Sequence, residues 1–218
     1  MKIIEFILIL SISISGFSQE SFDFSEAVPL GEKTVTIVDE KNFGTFNSVN
    51  NEIFYEFNEE GIWIISTIYS SISRETIRES SKYTVRNGYI FGIVLNDSLP
   101  CELEGERYYF GMRNKDQIIG GKTENVLKKL NSNTYVINFK ENNGFTPSLV
   151  TFSGNNLSIQ HFNYESGTNL FSSIKKTISK KVDGMNYITL SPSEKEWDEI
   201  DKALIYSSKI SYTKIKEL

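Results

Sequence analysis

The sequence predicts a mainly β protein, a single antiparallel meander closing as a barrel-like or sandwich domain, with one short α-helix at about 192–204. Three observations predict it. Apolar side chains recur at every second position in most segments, the period of a strand with one buried face. Asn- and Gly-rich turns separate these segments at roughly 8 to 12 residue intervals, as in all-β sandwiches and barrels. Aromatic residues form 13% of the chain, with 15 Phe and 11 Tyr, which suits pleated half-buried surfaces better than helix.

Met1 to Ser18 has the form of an export signal. Lys2 precedes an apolar run from Phe6 to Ile14, and Gly16 and Ser18 supply small residues ahead of a cleavage site before Gln19, although Glu5 is an unusual acid there. That run is shorter than the about 20 residues a transmembrane helix needs, and no later segment approaches this length. Residues 19–218 are therefore expected as one soluble β domain, periplasmic or secreted and without a transmembrane anchor. Cys101 is the sole cysteine, so no disulfide can form within the chain.

Within that domain Glu20 to Leu30 reads as an entry segment, Lys33 to Val38 as a short strand and Asp39 to Asn51 as a loop, with an ill-defined strand inside it as the alternative. Ile53 to Phe57 alternates, Asn58-Glu59-Glu60-Gly61 turns, and Ile62 to Ile68 returns as a nearly all-apolar strand containing Trp63. Ile77 to Arg86 reads as the clearest strand, joined by Asn87-Gly88 to Tyr89 through Leu95; Asn-Gly accepts the positive φ of a tight hairpin. Asp97 to Gly105 reads as a connection, Arg107 to Arg113 as a strand, Asn114-Lys115-Asp116 as a turn and Gln117 to Ile119 as a short strand.

Val126 to Leu130 leads into a three-stranded meander from Asn133 to Phe162, with turns at Asn142-Asn143-Gly144 and Ser153-Gly154-Asn155-Asn156. In its first strand Tyr135, Ile137 and Phe139 are expected to face the core while Val136, Asn138 and Lys140 stay half wet. Leu170, Ile174 and Ile178 fall at helical spacing, and Tyr187 to Leu190 reads as a strand. Ser191 is the expected N-cap of the one clear helix, with Pro192 at its first position, Glu194 in the capping-box position and a stripe of Trp197, Ile200 and Leu204. Ile205 to Ile215 reads as a last strand. Strand count and turn spacing resemble those of lipocalin-like barrels, and no diagnostic motif places the chain in a family.

Groups for catalysis are few. His161 is the only histidine, so one chain cannot build a multi-histidine metal site, and no cofactor-binding motif occurs. A Cys101 and His161 pair is conceivable as thiolate and base, but His161 lies in line with core positions. Paired acids for a carboxylate-based hydrolase of envelope or extracellular polysaccharide would come from Glu59 and Glu60, from Glu102, Glu104 and Glu106, or from Asp198 and Glu199. The net charge of -5 argues against nucleic acid, and the one basic cluster, Lys175, Lys176, Lys180 and Lys181, is local. A non-enzymatic binding protein of the bacterial envelope or secretome is the expected function, taking a small apolar ligand or an envelope protein partner. Trp63, Tyr83, Tyr89 and Phe91 are its candidate ligand-lining residues. A purely structural role is the remaining alternative.

Overall fold

A computed structural model describes residues 20–48, 53–141, 143–163, 171–182, 185–200 and 205–215. The expected export signal lies outside these residues, as do Asn142, Leu170 and Leu204. Along the chain come β1 (Glu20–Phe24), β2 (Lys33–Val35), β3 (Gly44–Ser48), β4 (Ile53–Asn58), β5 (Gly61–Ser73) and α1 (Arg74–Glu79). Next are β6 (Thr84–Arg86), β7 (Tyr89–Phe91), β8 (Ser98–Glu104), β9 (Arg107–Ile119), β10 (Val126–Asn131), β11 (Thr134–Lys140) and β12 (Phe145–Ser153). Last are β13 (Asn156–His161), β14 (Lys176–Val182), β15 (Met185–Leu190), α2 (Glu194–Glu199) and β16 (Ile210–Ile215). The protein is mainly β with antiparallel pairing and a short C-terminal helix, as its sequence predicts.

Two cores organise the sheet. The first gathers inward side chains of β3, β4, β5, β10, β11, β12, β13 and β16 with Val38 and Ile119. Its centre is aromatic. Phe57 and Phe152 meet edge to face at 5.0 Å between ring centroids, with Phe46 5.7 Å from each and Tyr135 6.0 Å from Phe152. Such pairs add about 0.5 to 1.5 kcal/mol each beyond the area they bury.

The second core packs Phe22 and Phe24 of β1 with Val28, Phe171, Ile174, Ile188, Leu190, Trp197, Ile200 and Ile205. Here β1 runs parallel to β15, the parallel partner that a meander does not foresee. Strand β11 lies between the two cores. Tyr135 and Ile137 belong to the first, while Asn138, fully buried, accepts the Val28 N–H at 2.9 Å and donates to the Val28 carbonyl at 2.8 Å in the second. The expectation that Val136 and Asn138 stay wet is thus corrected: both faces of β11 are covered, and a buried amide survives because its donor and acceptor are both used.

Other expectations also change. Ile77 to Arg86 is not one strand: Ser73 caps α1 by accepting the Thr76 N–H at 3.0 Å, Glu75 and Arg78 complement the helix ends, and only Thr84–Arg86 pairs. Asp97 to Gly105 holds strand β8, which pairs with β7 in its first half and β9 in its second. Pro100, having no N–H to donate, sits where β8 changes partner. Asn114-Lys115-Asp116 is no turn but the middle of the thirteen-residue β9. Ile178 lies in β14 instead of a helix. The capping box of α2 is Ser193 with Glu196, two residues beyond the expected Ser191 and Glu194. Glu20–Phe24 is a strand where an entry segment was expected, and Gly44–Ser48 is the strand that the alternative reading put inside the Asp39 to Asn51 loop. The Asn87-Gly88 hairpin is as expected, both residues having positive φ, 50° and 77°.

Candidate interaction surface

β4 pairs with β5 only as far as Ser66, yet β5 and β9 stay paired out to Ser73 and Arg107. Beyond Ser66 the ladder is flanked by β8, β7, β6 and α1, and no residue from 65 to 117 belongs to either core. This part of the chain is an arm. It carries eight of the ten exposed large apolar side chains of the described residues: Ile68, Tyr69, Tyr89, Phe91, Val94, Leu95, Leu103 and Tyr109. Only Ile53 and Ile210 lie on the body. Tyr69 is 73% exposed and Leu95 89%, so the arm differs from a surface on which apolar residues are scattered singly.

Register sorts the arm into two faces. The row that continues the core side of β5 holds Ile68 and Ile72, opposite Met112 and Tyr108. The outward row holds Trp63, Thr67, Tyr69 and Ser71, opposite Gln117, Arg113, Gly111 and Tyr109. The Tyr69 ring lies along the sheet over Gly111: a Cβ there would stand 3.5 Å from its nearest ring atom and 2.8 Å from the Thr67 methyl. Cations stack on the same face, Lys115 Nζ 4.8 Å from the Trp63 ring centre and the Arg113 guanidinium 5.8 Å from that of Phe54. Lys115 also pairs with Glu56 at 2.7 Å.

The four candidate ligand-lining residues do not meet in one pocket. Trp63 sits half-buried at the base of the outward row, its indole N–H without a hydrogen-bond partner among the described residues. Tyr83 lies in the bend after α1 beside Lys82. Tyr89 and Phe91 are exposed on β7, opposite Pro100 and Ser98. Phe91 borders a cavity of about 470 Å³ with Lys82, Val94, Leu95 and Asp97 beside the β7 to β8 connection.

The chemically reactive candidates fall on separate elements. Cys101 is half-buried on β8, where burial pushes its thiol up, away from a reactive thiolate. His161 is on β13 in the body, its pKa lowered by burial. It meets Ser148 Oγ at 3.0 Å through Nδ1, a contact that sequence spacing does not reveal because it depends on the β12 and β13 register. Ser148 is only 2% exposed, and the pair forms a cross-strand hydrogen bond.

Glu102 and Glu104 share the outward side of β8, but Glu106 turns away to Arg74 at 3.6 Å. Asp198 and Glu199 are on α2, where Glu199 pairs with Lys195 at 3.8 Å. Glu59 and Glu60 are in the β4 to β5 turn and border a cavity of about 920 Å³ with Glu56, Lys115 and Lys214. Lys175 and Lys176 are exposed where β14 begins. No protein-family model matches the chain, and no match is found among curated proteins or among solved structures.

Proposed function

We propose that the chain is a non-enzymatic binding protein, exported by its first eighteen residues, that docks a macromolecular partner on the arm. The observation that carries this reading is the gathering of exposed Tyr, Phe, Leu and Val side chains on an element outside both cores. Tyrosines of this kind give large contact area at small entropic cost, and they recur at the energetic centres of protein interfaces. A small apolar ligand held inside the sheet is disfavoured by the edge-to-face rings at the centre of the first core.

A photo-crosslinking residue placed at Tyr69 or Tyr89 in the producing cell is expected to trap a partner, while one at Ile210 on the body is not. Equal trapping at all three positions contradicts the reading. N-terminal sequencing of the exported protein is expected to begin at Gln19.

One observation favours a second reading, hydrolysis by paired acids: the larger cavity collects Glu56, Glu59 and Glu60. Glu56 is held by Lys115 and by Asn58 Nδ2 at 2.8 Å, as a structural carboxylate would be. Loss of a measured glycan-cleaving activity in both Glu59→Gln and Glu60→Gln would favour this second reading.

A further inference from the structure

The charges on the outward face of the arm are ordered along the strands. Gly111, with Tyr69 opposite, marks the middle. Two residues toward the body stands Arg113, then Lys115; two residues toward the tip stands Tyr109 beside Glu102, then Arg107 beside Glu104. Arg113, Glu102 and Glu104 are exposed, and none has an ion-pair partner among the described residues. Arg107 is turned back onto Ser71, its Nε 2.9 Å from Oγ. Lys115 is already paired with Glu56 of β4 on this face, so the unpaired charges are Arg113 on one side of Gly111 and Glu102 and Glu104 on the other.

We propose that the occupant of this face is a second copy of the chain, laid antiparallel across it about a two-fold axis at the level of Gly111; this rests on the arm being a docking surface. Rotation about that axis exchanges the level of Arg113 with the level of Tyr109 and Glu102. Arg113 of each copy then faces Glu102 of the other, while Lys115, held by Glu56, comes to the level of Arg107 and Glu104. A two-fold contact presents one patch to itself, so each favourable pair occurs twice. The pattern reverses across one point, which is what self-complementarity requires of a charged face. At the centre the two Tyr69 rings meet, each lying low because Gly111 has no Cβ to lift it. Sheets that pack face to face stand about 10 Å apart, within reach of arginine and glutamate side chains. The two bodies lie at opposite ends, so the arms overlap without bringing the cores together.

Sedimentation velocity on the purified full-length chain tests this. Dimers are expected, with Arg113→Glu and Glu102→Arg each weakening association by about tenfold or more, because like charges then face each other twice. The decisive samples are the double variant Arg113→Glu/Glu102→Arg and an equimolar mixture of the two single variants. Both recreate opposite charges at both contacts, and both are expected to recover dimers. A wild-type chain that stays monomeric overturns the proposal, and so does a dimer indifferent to both reversals, which would point to pairing of open strand edges. Failure of both decisive samples to recover overturns it as well. A monomer that still crosslinks another macromolecule at Tyr69 removes the second copy but keeps the docking surface; a monomer that crosslinks nothing removes both.

Discussion

The body and the arm are built from the same strand pattern and solve opposite problems. In the body, β11 and β12 have side chains buried on both faces, and the single amide exposed to that burial, Asn138, has its donor and acceptor both engaged. In the arm, β8 and the outer half of β9 leave many residues exposed, and only Ile90 and Phe110 of the whole arm are buried. Alternation of apolar and polar residues makes a strand in either place. What covers the apolar row decides whether the row is a core or an interface.

That comparison can be broken most forcefully from the body. Phe152 touches Phe46, Phe57 and Tyr135, so Phe152→Ala is expected to cost about 3 to 5 kcal/mol through lost burial and the cavity left behind, read by chemical unfolding. A loss below 1 kcal/mol would mean the first core is loose. Asn138→Ala strands the buried Val28 N–H and carbonyl, and an expected loss of about 1 to 3 kcal/mol would confirm that this amide joins the two cores. A neutral result would mean that Val28 finds other partners.

A third and smaller effect is a pH dependence. Burial raises the Asp23 carboxyl above the ordinary aspartate range, the Thr189 hydroxyl and the Lys140 charge offsetting only part of it, and Oδ1 has no hydrogen-bond partner among the described residues. A raised carboxyl favours the protonated folded state, so its contribution is fully present in acid and is lost as pH rises from the ordinary aspartate value through the raised one. Wild-type stability relative to Asp23→Asn is therefore expected to fall with rising pH across that window. A flat difference would show that Asp23 is solvated.

Much of the fold was legible because its signals are local. Asn87-Gly88 demands positive φ wherever it sits, and the hairpins around Gly61 and Gly154 follow from turn chemistry next to alternating strands. The misreadings have one physical source, which is that a residue's partner is not in its own segment. Asn114-Lys115-Asp116 looks like a turn because it is polar, yet a strand with a wet face tolerates polar residues without breaking. Ile77 to Arg86 alternates in type, but the Ser73 cap and the helical run after it win locally. β11 seemed half wet because nothing near it in sequence announces Val28, 110 residues away from Asn138. Of the proposed docking surface, Tyr89 and Phe91 were legible as aromatic strand positions. Tyr69, Tyr109 and Arg113 were not, since only the long register of β5 with β9 brings them onto one face.

The smallest expected effect is the most direct test of whether the arm's aromatic face is built for contact and not for folding. Thermal unfolding of the variant Tyr69→Ser/Tyr109→Ser is the measurement. The account predicts a melting temperature unchanged to within about 2 °C, as for surface substitutions that alter stability by no more than about 0.5 kcal/mol, together with loss of crosslinking at Tyr89. A drop in melting temperature as large as that of Phe152→Ala would show that the face is a core, and would contradict it.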